Sequence, residues 1–255
     1  MMSMADPAKP IRIGVDIGGT FTDLQTYDAR SKRISAHKLP TTPDDPSIAL
    51  VEGIKAAGQR FGFTLDDVGY VLHGTTIATN AVLERKLPAA ALVTTSGFED
   101  VLEIGRHNRR DVYSVWPRPA PALIPRHLRF GLRERMTARG TAETVPDDKD
   151  IARVIARLGE HRVSSVAICF LHSYANAAHE RLMADAIRIA LPDISVSCSS
   201  EVSPEIREYE RTSTTVLNAL LQPVVEGYVR KLLARLAAER FQPQQPISPS
   251  SSALP

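Results

Sequence analysis

The stretch Asp16-Ile17-Gly18-Gly19-Thr20-Phe21-Thr22-Asp23 lies between two segments that have the character of short β-strands. The preceding segment is 11–15 and the following one is 24–27. A carboxylate therefore stands at a strand end, beside two glycines and two hydroxyl groups, in a turn between two strands. Most glycine-rich phosphate loops connect a strand to a helix, so this turn indicates a different class of α/β fold.

The elements around this turn predict the fold class. Three strands at 11–16, 20–27 and 33–39 form a predicted antiparallel meander. Asp45 before Pro46 begins a predicted amphipathic helix over 46–61, because a capping acid followed by proline is a helix-start signal. Helices and strands then alternate along the chain. A three-strand antiparallel meander followed by alternating helices and strands is the order of an α/β, ribonuclease H-like core, which actin-like ATPases and sugar kinases share.

Four segments are predicted along the chain. They are a flexible arm at 1–10, a main domain at 11–204, two helices at 205–240 that are separated at Pro223, and a disordered tail at 241–255. The tail is composed mainly of proline, glutamine and serine without charge, a composition that favours disorder. The last helix carries an apolar stripe, which predicts a partner surface or self-association through 223–240. The stripe consists of Val225, Val229, Leu232 and Leu236.

Charge and cysteine content exclude several classes of partner. A net charge of +2 over 255 residues gives no reason to expect nucleic acid or an anionic membrane surface. No apolar run approaches the roughly 20 residues that span a bilayer. Cys169 and Cys198 are isolated and have no metal-ligand spacing. We therefore expect inert buried thiols and a cytoplasmic location.

The turn carries donors suited to a phosphate group. Gly18 and Gly19 lack a Cβ and can adopt positive φ, so their backbone N–H groups can approach phosphate oxygens closely. Thr20 and Thr22 add hydroxyl donors. The turn is therefore a candidate phosphate-binding loop.

Two carboxylates flank these donors. Asp16 would act through Mg²⁺ or its waters, or would orient a nucleophilic water, because a carboxylate repels a phosphate group directly. Asp23 is a second candidate metal ligand, and strand alternation places it on the opposite face from Thr22. The alternative is an ordinary Gly-Gly hairpin with a surface aspartate.

A second polar cluster, His73-Gly74-Thr75-Thr76-Ile77-Ala78-Thr79-Asn80, lies where a predicted buried strand ends and a helix begins. Unpaired N–H groups and the helix dipole attract anions at such a position, which makes Thr75 and Thr76 candidate binding residues. Either threonine can instead be a helix cap. His73 is a candidate ligand or catalytic residue, with a hydrogen-bonded structural role as the alternative.

Four blocks of the sequence together resemble the hydantoinase A/5-oxoprolinase family over about residues 11–240. The blocks are DIGGTFTD (16–23), HGTTIATNAVLERK (73–86), GFEDVLEIGR (97–106) and EVSPEIREYERTSTTVLN (201–218). The resemblance implies an actin-like ATPase fold and ATP-dependent opening of cyclic amides such as 5-oxoproline or hydantoins. It also implies ATP and Mg²⁺ as cofactors, a phosphate and Mg²⁺ loop at 16–22, and the second cluster near the same cleft.

The resemblance also implies that the chain is incomplete, because family members continue into a second domain with a second phosphate loop. We therefore expect a truncated member that is inactive alone and needs a complementary ATPase half or a hydantoinase B-like subunit. A non-catalytic fragment and a subunit of an ATP-dependent ketone carboxylase are the alternatives. A small-molecule kinase is a third, against which the FTD extension (21–23) argues.

Overall fold

The computed structural model describes residues 9–106, 121–239 and 241, together with Tyr113, Val115 and Trp116. These residues form two compact units. The first comprises the described residues up to Lys86 and those from Val224 onward, and the second comprises those from Leu87 to Pro223. This division crosses the predicted domain 11–204, and the assignment to domains stays a prediction. Within the described ranges, no helix has the length and apolar character required to cross a membrane.

The first unit is built on a four-stranded mixed sheet. Its strands are β1 (Ile11–Ile17), β2 (Phe21–Asp28), β3 (Arg33–Pro40) and β4 (Val68–Thr75), in the order β3-β2-β1-β4. The first three are antiparallel neighbours, whereas β4 runs parallel to β1. The α/β fold class with its antiparallel three-strand opening is confirmed. Helix α2 (Ile77–Leu83) follows β4.

Helix α1 (Pro46–Phe61) has the predicted bounds and the predicted cap. The Asp45 carboxylate accepts hydrogen bonds from the Ser47 backbone N–H at 3.2 Å and from its hydroxyl at 2.5 Å. Arg235 donates to the same carboxylate at 2.8 Å and to the Ser47 hydroxyl at 2.9 Å. The start of α1 is therefore fixed both by its own cap and by a residue 190 positions later in the chain.

The second unit contains a parallel sheet and the helices that cover it. Its elements are β5 (Ala90–Thr95), α3 (Val101–Ile104), β6 (Arg129–Leu132), β7 (Arg135–Met136), β8 (Ala142–Thr144), α4 (Asp148–His161), β9 (Ser165–Cys169), α5 (Ala178–Ala190), β10 (Ser195–Cys198) and α6 (Ser199–Val202). The sheet has the order β10-β9-β5-β6, and β7 and β8 form a separate hairpin. The alternation predicted for this region results from these parallel strand–helix units.

Helix α7 (Glu208–Ala238) corrects two predictions about the end of the chain. It continues through Pro223, where a break was predicted. Proline removes one backbone hydrogen bond, but buried residues before and after it, such as Leu220 and Leu232, keep both halves packed. Its second half packs in the core of the first unit, so the predicted unpartnered stripe is wrong, and self-association through 223–240 loses its basis. The buried residues there are Tyr228, Leu232, Leu236 and Phe241, with Val229 partly buried beside them.

The two ends of the described chain also differ from the predictions. Pro10, assigned to a loose arm, is buried, and its carbonyl accepts a hydrogen bond from the Ala29 N–H at 3.1 Å. Phe241, assigned to the disordered tail, is only 5% exposed. Residues 1–8 and 242–255 lie outside the described part of the chain.

A buried polar network lies at the carboxyl ends of β9 and β10. The Glu180 carboxylate accepts from the Phe170 N–H at 3.1 Å, the Ser199 hydroxyl at 2.6 Å and the Ser200 N–H at 2.9 Å. Arg211 donates to the Phe170 carbonyl at 2.8 Å, on the other side of the same residue. Both side chains are essentially inaccessible to water. The network therefore joins α5, the two strand ends and the first turn of α7.

A second buried acid lies nearby in the same unit. The Glu134 carboxylate accepts from His179 Nδ1 at 2.7 Å and from the Thr95 hydroxyl. The Leu171 N–H in turn donates to the Thr95 hydroxyl at 3.0 Å. The predicted buried thiols are confirmed, since Cys169 and Cys198 are both free and buried. Burial raises the pKa of both thiols, that of Cys198 to about 12.

Candidate phosphate-binding site

Parallel pairing of β1 with β4 brings the two predicted motifs together. Asp16 lies in register with Gly74, and Ile17 with Thr75. The β1–β2 turn and the β4–α2 connection therefore project from the same edge of the sheet. Carboxyl ends of parallel strands are where α/β sheets bind ligands. The structure thus places the Asp16–Asp23 turn beside the 73–80 cluster.

Gly18 and Gly19 are required by close contact and not by backbone conformation. Neither has a positive φ, so the conformational freedom invoked from the sequence is not used. A Cβ at Gly18 would lie 3.2 Å from the Phe21 carbonyl oxygen, and one at Gly19 would lie 3.3 Å from Asn80 Nδ2. Asn80 belongs to α2, so the second glycine lets the turn approach that helix.

The turn leaves two backbone donors available. The Gly18 N–H donates to the Phe21 carbonyl at 3.0 Å and closes the hairpin. Among the described residues, the N–H groups of Gly19 and Thr20 have no hydrogen-bond acceptor. Thr20 is also exposed, so its hydroxyl is accessible to a ligand. The donors that remain for an anion are therefore those of Gly19 and Thr20.

Asp16 and Asp23 are brought together on one face of the sheet. They are directly opposed partners in the β1–β2 pair, and both are exposed. Asp23 forms an ion pair with Lys38 at 3.1 Å. The Asp16 carboxylate, by contrast, has no hydrogen-bond or ion-pair partner within the described part of the chain. Asp16 is therefore the carboxylate that is open to a cation.

Thr22 lies on the other face of β2. Its side chain is fully buried, and its hydroxyl forms a hydrogen bond of 2.9 Å with the Thr41 hydroxyl. Thr41 also donates to the Gly18 carbonyl at 2.9 Å. The structure does not bring Thr22 together with the other predicted ligands, and its contacts support the turn from below.

Thr75 and Thr76 both make local hydrogen bonds at the start of α2. The Thr75 hydroxyl accepts from the Ile77 N–H at 3.2 Å, which is the capping role considered as the alternative. The Thr76 N–H donates to the Ile17 carbonyl at 3.3 Å, and its hydroxyl accepts from Asn80 Nδ2 at 3.3 Å. Both residues therefore fix the connection against the end of β1.

His73 has a partner that the sequence does not reveal. The Tyr228 hydroxyl donates to His73 Nε2 at 2.7 Å, and the two rings stack with centroids 5.4 Å apart. Burial lowers the pKa of His73, and the nearby Asp16 charge only partly offsets this effect. Burial raises the pKa of Tyr228, so its hydroxyl stays protonated and is the donor. The imidazole is therefore neutral at pH 7 and carries its proton on Nδ1.

The lowered pKa of His73 predicts a loss of stability in acid. Because the unfolded chain binds a proton near pH 6.5 and the folded chain does so only at lower pH, stability falls as the pH drops below about 6.5. We expect this fall between pH 7.5 and 5.5 to be shallower in His73→Gln than in the wild type, by urea denaturation. His161→Gln, which removes an exposed histidine, is the control and should retain the wild-type slope. Equal slopes in all three proteins would contradict the assignment.

Tyr228→Phe separates the hydrogen bond from the burial of the imidazole. Loss of one hydroxyl donor to a buried ring nitrogen is expected to cost about 1 kcal/mol of unfolding free energy at pH 7.5. The phenyl ring retains the packing of Tyr228 against the core. Unchanged stability at pH 7.5 would show that the Tyr228 hydroxyl does not stabilise His73.

Comparison with known proteins identifies the family. A family model described as hydantoinase/oxoprolinase N-terminal region matches residues 12–191. Caprolactamase subunit alpha from Pseudomonas jessenii is 37% identical over 242 residues, which cover 92% of this chain and 34% of that protein. Acetophenone carboxylase gamma subunit from Aromatoleum aromaticum is 32% identical, over 90% of this chain and 33% of its own.

A solved structure agrees with the sequence relationship. The crystal structure of ATP-dependent caprolactamase from Pseudomonas jessenii superposes with a TM-score of 0.82 at 37% identity, over 92% of this chain and 34% of that chain. This chain thus spans about a third of the length of the curated relatives it matches. Since the family model covers most of the sequence, the chain belongs to the hydantoinase/oxoprolinase N-terminal region family.

Proposed function

We propose that this chain is the N-terminal ATPase portion of an enzyme that uses ATP to hydrolyse cyclic amides. The observation that carries the proposal is the parallel register of β1 and β4. It gathers an unpaired carboxylate, Asp16, and two available N–H groups, those of Gly19 and Thr20, at one sheet edge. Family membership and the similarity to caprolactamase subunit alpha support ATP use and a lactam substrate.

In the proposed site, the Gly19 and Thr20 N–H groups donate to phosphate oxygens, and the Thr20 hydroxyl adds a third donor. Gly18 and Thr22 hold the turn in shape, and Thr75 and Thr76 hold the adjacent connection. Each retains the local hydrogen bonds described above, so the donors are fixed before a ligand arrives. Such preorganisation is the main contribution that a protein makes to phosphoryl transfer.

The residues present fit a magnesium ion at Asp16. Magnesium is commonly bound by one or two carboxylates together with phosphate oxygens and waters, and the exposed Asp16 carboxylate has no competing partner among the described residues. Asp23 would become available only if its ion pair with Lys38 opened. When bound, the ion would neutralise charge on the phosphates. Within the described residues, no group of three or more acidic, histidine or cysteine side chains surrounds a metal position, so phosphate and water would supply the other ligands.

ATP would supply a phosphoryl group that converts the amide oxygen of the substrate into a leaving group. The part of this chain in that reaction is to bind and orient the phosphates. We propose that the chain is inactive alone and acts with the portion of the family's chain that it lacks, or with a second subunit. We also propose a cytoplasmic location, which the two free buried thiols support.

A ketone carboxylase subunit is the second candidate function. The observation that favours it is the 32% identity to acetophenone carboxylase gamma subunit. The same Asp16 site would then serve activation of a different oxygen. The choice of substrate distinguishes the two candidates.

Co-expression with the remainder of caprolactamase subunit alpha, followed by phosphate-release assays, tests the proposal. ATP hydrolysis should be stimulated by caprolactam, 5-oxoproline or hydantoin, whereas stimulation by acetophenone with bicarbonate would favour the carboxylase. Asp16→Asn should lower the rate by about 100-fold, the order of loss seen when a preorganised charge-stabilising group is removed. Asp66→Asn, at another exposed aspartate of the same unit, is the control and should leave the rate within about twofold. Equal rates for Asp16→Asn and the wild type would refute the assignment.

A further inference from the structure

The first unit has a sheet face that no described element covers. We call it the outer face, defined as the side of β1–β4 that carries Asp16 and Leu72. Several large apolar side chains on it are exposed: Ile34 is 74%, Leu72 62%, Phe21 46% and Tyr70 41% accessible. The opposite face is buried and contributes Ile13, Val15 and Leu24 to the core. One side of the sheet is thus fully packed while the other stays open.

This openness is unusual for the strands concerned. Parallel strands occur almost always in sheets with both faces covered by helices, and β1 and β4 are parallel neighbours at the middle and edge of this sheet. Exposed clusters of large apolar side chains on one surface mark sites of interaction. The outer face therefore has the composition of a surface that another element covers.

Gly14 gives an independent indication of close contact at this face. It lies in β1, in register with Gln25 on one side and Leu72 on the other. A Cβ built on Gly14 meets no atom within 4 Å, and its φ is not positive. Nothing in the described part of the chain therefore requires glycine here. Glycine weakens a strand interior, and it is found where another backbone approaches closely.

We infer that the outer face docks an apolar helix from the portion of the family's chain that lies beyond the third matched here. The relatives are about three times as long as the matched region, so a large segment is available to cover the face. A helix is expected because helices cover parallel strands. The helix crosses over Gly14, contacts Tyr70 and Leu72, and ends beside the row that contains Asp16 and Asp23.

The inference depends on the packing of the sheet and not on ATP binding. Its test is therefore binding of the two polypeptides without nucleotide. The probe is the portion of caprolactamase subunit alpha that follows its matched third, co-expressed with this chain and measured by co-purification and by titration of the purified components. The matched third of caprolactamase subunit alpha, co-expressed with the same probe, is the positive control.

Substitutions on the outer face should weaken binding while the chain itself stays folded. Gly14→Leu and Leu72→Lys are each expected to reduce affinity for the probe at least tenfold. Because open space surrounds position 14 and Leu72 is exposed, thermal unfolding of either variant alone should match the wild type. Ile189→Lys, at an 84% exposed position on α5, is the matched control and should bind like the wild type.

A single introduced thiol maps the contact directly. Cys169 and Cys198 are buried with raised pKa values, so Leu72→Cys places the reactive thiol on the outer face. Its labelling by a maleimide should slow at least tenfold when the probe is bound, while labelling of Ile189→Cys should not change. Labelling at the free rate in the complex, or failure to bind when the positive control binds, would overturn the inference. A dimer of this chain alone that Leu72→Lys dissociates would assign the face to a second copy instead.

Discussion

Replacing Glu180 by alanine is expected to lower the unfolding free energy by about 4 kcal/mol, because three buried donors lose their acceptor at once. The Phe170 and Ser200 N–H groups and the Ser199 hydroxyl would each face a small apolar side chain. Water cannot replace the carboxylate without opening the carboxyl ends of β9 and β10. The Arg211 charge would also lose the nearest buried negative charge in this network.

Urea denaturation followed by far-UV circular dichroism measures the effect of Glu180→Ala. Glu180→Gln retains one acceptor oxygen but turns an amide group toward a backbone donor, so an intermediate loss is expected. Glu160→Ala, at an exposed position of α4, is the control and should change stability by less than about 0.5 kcal/mol. A loss below about 1 kcal/mol for Glu180→Ala would show that the network does not stabilise the second unit.

Arg211→Ala is expected to have the second largest effect, a loss of about 3–5 kcal/mol. The side chain is 1% exposed, and its guanidinium donates to the carbonyls of Phe170 at 2.8 Å and Glu205 at 2.7 Å. Removing it leaves both acceptors without their donor and opens a cavity the size of a long side chain. The contact of the guanidinium with the Tyr174 ring, at 5.5 Å, is lost as well.

Arg211→Met separates volume from charge. The Arg211 guanidinium forms no ion pair with a carboxylate among the described residues, and its Nε atom is buried without a partner. Because an incompletely compensated charge is costly to bury, a well-packed methionine should lose less than alanine, about 1–2 kcal/mol. The double variant Glu180→Ala/Arg211→Ala should be less destabilised than the sum of the single changes, since both side chains bind Phe170. Strict additivity would contradict a shared network.

The first half of the fold follows from local signals in the sequence. The glycine pair between two extended segments predicts the β1–β2 hairpin, and the capping acid before Pro46 predicts α1 to the residue. The end of the chain was mispredicted because proline propensity is local, whereas α7 is held by core residues on both sides of Pro223. Long-range packing, in this helix, is stronger than the local preference.

The candidate site was partly predictable for the same reason. Sequence motifs locate the Asp16 turn and the Thr75–Thr76 connection, but only strand register shows that they are neighbours. The Thr22 hydroxyl is excluded by its burial against Thr41, which depends on a residue 19 positions away. His73 was recognised as a candidate, whereas Tyr228, 155 positions later, has no sequence signal that links the two.

The path of α7 has a consequence for biosynthesis. The core of the first unit needs Tyr228, Leu232, Leu236 and Phe241, which are made after the whole of the second unit. On the ribosome, the segment 87–223 can therefore acquire its own core while the residues before it still wait for their last wall. Domains usually complete folding in the order of synthesis, but here the unit that begins first should finish last. A nascent chain arrested before residue 228 should accordingly protect β9 from protease and leave β1 open to cleavage.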